Sequence, residues 1–225
     1  MEASWVFGRE GLCDYFKQQG IDEKKDHDRR INTIPKILQV CKEASFSRHA
    51  SYVACMYYHR LLVCMPPPLN DSLLAILAIF IAGKAEEHYR RIDDTCKAWV
   101  LISPQSDTNT NDTIVTREKV LSLEYTAMAR LGFHFSMDTP LKHFIRAMAG
   151  CDDMIEPGLK ILDRVMATPC TLMYNQREIG AACAMLAFGP ASVDDHFDQL
   201  VASAKINDKQ SLLDCYEYLK RIIIL

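Results

Sequence analysis

Few residues in this chain have the types and spacing that chemistry requires. The sequence Lys84-Ala85-Glu86-Glu87 closes a long apolar run, and Glu124 lies inside an amphipathic stretch. Read from spacing alone, the first is a solvated last helical turn, where a lysine is favourable to the helix C-terminal dipole. The acidic pairs Asp93-Asp94, Asp152-Asp153 and Asp194-Asp195 could suggest acid–base or metal work. Adjacent residues point in different directions on a helix, so each pair reads as a solvated helix start. The seven histidines, at 27, 49, 59, 88, 134, 143 and 196, lack ligand spacing. His59 stands in an apolar stretch and reads as a hydrogen-bonded core imidazole. Nine cysteines are scattered with no Cys-x-x-Cys pair and read as small buried hydrophobes, not as metal ligands. There is no Gly-x-Ser-x-Gly elbow, phosphate loop, His-Glu-x-x-His or dinucleotide fingerprint. No catalytic residue, metal ligand or cofactor is assigned. An enzyme with a site assembled from scattered positions is the least favoured class.

Bulk properties narrow the partners. The chain has 225 residues, 49% of them hydrophobic, with a net charge of −3. That composition is globular and gives no electrostatic footprint for direct nucleic-acid binding. The amino terminus lacks a basic flank followed by an apolar core, and the longest apolar run, Leu73 to Gly83, is about half of what a bilayer requires. A soluble, intracellular protein with no membrane contact and no small-molecule substrate is expected. Nine glycines and nine prolines are too few for a protein of many tight turns, which favours long helices.

Apolar periodicity supplies those helices. Residues 28–46 carry a stripe at Ile31, Ile34, Ile37, Leu38 and Cys41, with Pro35 placed near the start. A second helix fits 47–65, ending at three prolines. Leu73 to Gly83 is apolar all round behind an Asn70-Asp71-Ser72 cap, so other helices must surround it. Residues 91–102 and 116–132 follow, the last with Val120, Leu121, Leu123, Met128 and Leu131 facing inward and Gly132 as stop. Thr139-Pro140 restarts the series, with helices expected over 140–150, 157–167, 175–189, 193–204 and 209–225. The helix opened by Asn175-Gln176-Arg177-Glu178 is again apolar nearly all round. The two wrapped helices lie about 105 residues apart, which predicts an all-α protein with a duplicated five-helix domain. The division is an N-terminal segment over 1–27, a first unit over 28–137, and a shorter or degenerate second unit over 138–225.

The segment from Leu77 to Glu87, followed by Leu121 to Phe135, resembles the cyclin box. In that family an apolar third helix ends in Ala-Gly/Ser-Lys-x-Glu-Glu, and the fifth carries a Glu about seven residues before Leu-Gly/Thr-Phe; Lys84, Glu86, Glu87 and Glu124 match. Trp5-Val6-Phe7, Gly20-Ile21 and Arg30 ahead of Tyr58-His59-Arg60 are similar to transcription-associated cyclins of the T, K and L type. Arg29 to Thr33 replaces the substrate-docking motif of cell-cycle cyclins.

The resemblance implies two tandem five-helix cyclin folds. It also implies a non-catalytic regulatory subunit that binds and activates a cyclin-dependent kinase, acting on RNA polymerase II in the nucleus. It places Lys84 and Glu124 side by side at the edge of an apolar groove, the lysine donating to kinase carbonyls and the glutamate accepting from kinase amides. Glu87 joins that face, and Leu131 and Phe133 are groove candidates or ordinary core. Ala85 is smaller than the family's usual Phe or Val. Arg30 is implied to tie the first helix to the second; since His59 stands where the family usually has an acid, the tie needs another acceptor. The alternative within the same fold is a relative of the B-type initiation factor, holding DNA or a TATA-binding partner, which a net charge of −3 disfavours.

Overall fold

The computed structural model describes residues 5–65, 70–103, 115–189, 201–202, 205–206 and 208–224. Every element in them is a helix: α1 (Gly8–Gln19), α2 (Glu23–Glu43), α3 (Arg48–Cys64), α4 (Asp71–Ala85), α5 (Ile92–Ile102), α6 (Arg117–Arg130), α7 (Pro140–Ala147), α8 (Asp152–Met166), α9 (Cys170–Met173), α10 (Gln176–Phe188) and α11 (Lys209–Ile224). Contacts divide the chain into one unit of Lys24–Met137 and another of Ser4–Glu23 with Asp138–Leu225. The residues expected as a leading segment thus separate. Helix α1 packs with the second unit, where the Phe7 amide donates to the Leu172 carbonyl at 2.8 Å, and α2 begins ahead of residue 28.

In the first unit α3 and α4 form the core. Ser47 caps α3 by accepting from the Ala50 amide at 3.1 Å, and Asn70 caps α4 by accepting from the Ser72 amide at 2.7 Å. Every residue of α4 from Leu73 to Ile79 is buried, because α3, α5 and α6 wrap it. Over that stretch its apolar circumference is therefore sheltered from water. The start of α2 departs from the sequence expectation. Pro35 sits within the helix instead of near its start, on the exposed side where the orphaned carbonyl can be hydrated. The buried face extends back to Asp26 through charged residues, which an apolar stripe does not count.

The second unit repeats the device with α10 at its centre. Asn175 forms a full capping box, accepting from the Arg177 and Glu178 amides while its own amide donates to Glu178 Oε2 at 3.2 Å. Residues Ile179 to Met185 are all buried against α7, α8 and α11. Helix α8 starts at Asp152, five residues before the expected Pro157, which lies inside the helix with its ring exposed. The short α9 is an unexpected element, and the expected helix over 193–204 lies almost wholly outside the described residues.

Gly180 sets the closest approach in this unit. A Cβ there would lie 2.6 Å from the Pro140 carbonyl oxygen, 2.7 Å from His143 Cβ and 2.8 Å from the Phe144 amide nitrogen. Two of those atoms are backbone and cannot rotate away, so α7 and α10 must separate to admit a methyl group. Gly180→Ala is therefore expected to cost about 1–3 kcal/mol, against the usual helix-propensity gain for that change. Chemical denaturation of the variant measures it, and an unchanged or raised midpoint would contradict the tight crossing.

Candidate partner-binding site

Lys84 occupies the last turn of α4 because the helix can continue only while its sides are covered. One residue earlier, a Cβ on Gly83 would meet the His88 carbonyl and the Phe46 ring, each at 3.0 Å. That crowding marks the end of the wrapped portion, and the next side chain emerges. Lys84 keeps 45% of its side chain exposed, lies 4.5 Å from the centre of the Phe80 ring, and is paired with Glu124 of α6. Glu124 is more enclosed, at 15%. The two charges come from positions 40 apart in sequence and share one surface because α6 packs on α4.

Apolar side chains flank this pair. Leu121, one turn before Glu124, and Tyr125, next to it, are 41% and 71% exposed. Phe133 is 51% exposed and stands edge-on to both Tyr125 and Phe135, with ring centres 6.1 and 6.3 Å apart. Its direction is fixed by the end of α6. The Gly132 amide donates to the Ala129 carbonyl and the Phe133 amide to the Met128 carbonyl, with both residues at positive φ. Glycine adopts that conformation freely, whereas Phe133 at φ 53 holds it against its own Cβ. The Tyr57 hydroxyl donates to the Phe135 carbonyl at 3.1 Å and anchors the same segment.

The other expected site residues distribute differently. Leu131 is 1% exposed and belongs to the core, whereas Phe133 belongs to the surface. Leu121, expected to face inward, faces out, since Val120, Ala127 and Leu131 define the buried side of α6. Glu86 turns to His49, whose Nε2 lies 3.3 Å from its carboxylate, and Glu87 is exposed in the turn after α4 with φ 58. Phe80, Leu121 and Tyr125 are part of the face that periodicity did not single out; an aromatic immediately after Glu124 was the available signal.

Beneath the surface, Arg30 is fully buried and bound on two sides. Its Nε and Nη2 donate to the Asp26 carboxylate at 2.6 and 3.1 Å, and its Nη1 lies 2.6 Å from His59 Nδ1, which must carry a lone pair to accept. The acceptor that His59 alone could not provide is thus Asp26, one helical turn before Arg30, at the i,i+4 spacing of a helix ion pair. Next to it, Arg29 reaches Asp71 at the start of α4 with bonds of 2.6–3.2 Å, and the Tyr58 hydroxyl donates to the same carboxylate. These ties hold α2, α3 and α4 in one arrangement, and so position the end of α4.

Reactive chemistry finds little support. Burial pushes the thiols of Cys41 and Cys170 up to about 12 and that of Cys64 up to about 11, which leaves them neutral and poorly nucleophilic. Among the described residues no group of three His, Cys, Asp or Glu side chains could hold a metal ion, and no helix is long and apolar enough to cross a membrane.

Residues 11–136 match the family described as cyclin, N-terminal domain. No curated protein sequence matches. Solved structures do. A chain of the yeast TFIIK (Kin28/Ccl1/Tfb3) complex aligns with a TM-score of 0.69 at 15% identity, over 98% of this chain and 96% of its own. A chain of the yeast RNA Pol II CTD kinase CTDK-1 complex aligns at 0.70 and 13%, over 90% and 67%. A chain of the CAK complex from Chaetomium thermophilum bound to ATP-gamma-S aligns at 0.63 and 15%, over 87% and 62%.

Proposed function

This chain belongs to the cyclin family of non-catalytic kinase regulatory subunits, and we propose that it binds and activates a cyclin-dependent kinase of the transcriptional branch through the Lys84–Glu124 face. The observation that carries the reading is an exposed ion pair set among outward-facing aromatic side chains. Charges that satisfy each other in the free protein can be shared with the carbonyls and amides of a docked helix, while Tyr125, Phe133 and Leu121 lose water. Glu87 extends the polar rim, and Leu131 supports α6 from within the core. Arg30 and His59 act through the helices they hold. The similar chains come from kinase complexes, two of them named for transcription, which favours nuclear work on RNA polymerase II.

Energy decides whether such a face is sufficient. A kinase is active when its C-helix glutamate pairs with the phosphate-binding lysine. Moving that equilibrium from mostly inactive to mostly active needs about 5.5 kcal/mol of differential binding. Leu121, Tyr125 and Phe133 are already partly covered, so completing their burial is worth roughly 1–2 kcal/mol each, and the apolar patch supplies much of the required difference if it contacts only the active arrangement.

Affinity purification from cell extract, with identification of the bound kinase and assay on a polymerase tail peptide, tests the reading. A proline-directed kinase activated by this chain is expected; recovery of no kinase would end it. Tyr125→Ala and Phe133→Ala should each weaken the complex by about 10-fold or more while leaving thermal unfolding of the free chain within a degree or two, since both side chains face solvent. Titration calorimetry with the purified kinase reads this.

A further inference from the structure

The second unit holds a groove of about 660 Å³ between the start of α1, the end of α9 and one face of α11. That volume is within the range of ligand pockets. Its floor is aromatic: Tyr174 is 7% exposed and its ring centre lies 5.8 Å from that of Tyr218, while Phe7 and Met173 also line the groove. Along the rim, Ser211, Asp214, Tyr218 and Arg221 follow one another at steps of three and four residues, so they share one stripe of α11. Asp214 and Arg221 are therefore about two helical turns apart, roughly 10 Å, with Tyr218 between them.

Charge on this rim is separated, not cancelled. Lys220 approaches Glu217 at 3.6 Å, but Asp214 accepts a neutral bond from Gln210 Nε2 at 3.3 Å, which leaves its charge in place. Arg9 stands 5.8 Å from the centre of the Tyr218 ring, a contact that uses none of its N–H donors. Among the described residues neither Arg9 nor Arg221 forms an ion pair, although Glu10, Asp214 and Glu217 line the same groove. An anion alone would meet those carboxylates, and a cation alone the guanidiniums. A complementary ligand must carry one charge of each sign, about 10 Å apart, with apolar groups between them for the tyrosines. Polypeptide in the polyproline II conformation has this form. With about three residues per turn and a rise of about 3.1 Å, it sets side chains i and i+3 on one face about 9 Å apart, and aromatic-lined grooves are its usual receptors.

We propose that this groove binds a proline-rich segment of a partner polypeptide, in which a basic side chain pairs with Asp214 and an acidic one three positions away is received by Arg221 and Arg9. The segment is already extended before it binds, so little ordering entropy opposes docking. The assignment is independent of the Lys84–Glu124 face, which belongs to the first unit.

The full chain, titrated at low salt into fluorescein-labelled peptides containing Lys-Pro-Pro-Glu, Lys-Pro-Pro-Lys or Glu-Pro-Pro-Glu, tests this by fluorescence polarisation. The first should saturate and bind about 5-fold more tightly than either of the others, the scale of one exposed ion pair. Arg221→Gln should shrink its advantage over Lys-Pro-Pro-Lys, and Asp214→Asn its advantage over Glu-Pro-Pro-Glu. Both side chains are exposed, so thermal unfolding of either variant should match that of the parent. Absence of saturable binding, equal binding of the three peptides, or a preference left intact by either variant would overturn the proposal.

Discussion

Lys84→Glu and Glu124→Lys should each abolish kinase co-purification while leaving the chain folded. Either change sets like charges against each other at a partly exposed site, a repulsion of only about 0.5 kcal/mol for the free protein. At a desolvated interface the same change leaves partner groups unpaired, typically about 2–5 kcal/mol, which is an affinity loss of roughly 30-fold or more. The doubly reversed chain, Lys84→Glu with Glu124→Lys, distinguishes docking from folding. It recovers the internal pair but presents each charge to the wrong partner group, so it should unfold like the parent and still fail to bind. Normal kinase binding by both single variants would remove this face from the interface.

Arg30→Met should lower the stability of the first unit by about 3–5 kcal/mol. The guanidinium is fully buried, and its removal strands the Asp26 carboxylate, itself only 5% exposed. The cost lies in the abandoned partner more than in the lost bond. Adding Asp26→Leu should therefore recover much of the loss, because replacing both members of a buried pair by apolar groups is often close to neutral. Urea unfolding of the three chains checks the order, and a loss within about 1 kcal/mol for Arg30→Met alone would mean the network is not structural.

Legibility in the sequence followed what each signal measures. Period 3.6 located the longer helices from residue 28 onward but neither α1 nor α9, and apolarity nearly all round marked α4 and α10 as the two wrapped ones, because burial on every side leaves no polar stripe to write. The same logic misjudged the ends. Proline is favoured in a first turn, which puts Pro35 near a helix start and opens a helix at Pro157, but a proline on a solvated face is tolerable inside a helix, where water takes the freed carbonyl. Asp26 escaped because a stripe drawn from apolar residues stops where a buried face turns ionic. Of the face proposed for docking, Lys84, Glu124 and Phe133 could be pointed to only by likeness to a family. Spacing alone could not bring together two charges 40 positions apart, nor tell Leu131 from Phe133, two residues on opposite sides of a helix terminus. Leu121 and Tyr125 show the limit in reverse: a leucine in an amphipathic helix is assigned inward by default, and only the packing of Val120 and Ala127 shows which way is in.

The Asp26–Arg30–His59 group also constrains how this chain can diverge. Its formal charges cancel while the imidazole is neutral, and a dry interior penalises any imbalance. A carboxylate at position 59 would tip the sum to minus one, which the loss of the acid at position 26 would offset. The two sites should thus behave as alternatives, with Asp26→Asn rescuing His59→Asp. Electroneutrality, held by trading one side chain for another across two helices, would let a cyclin lineage move its internal acid without moving its backbone.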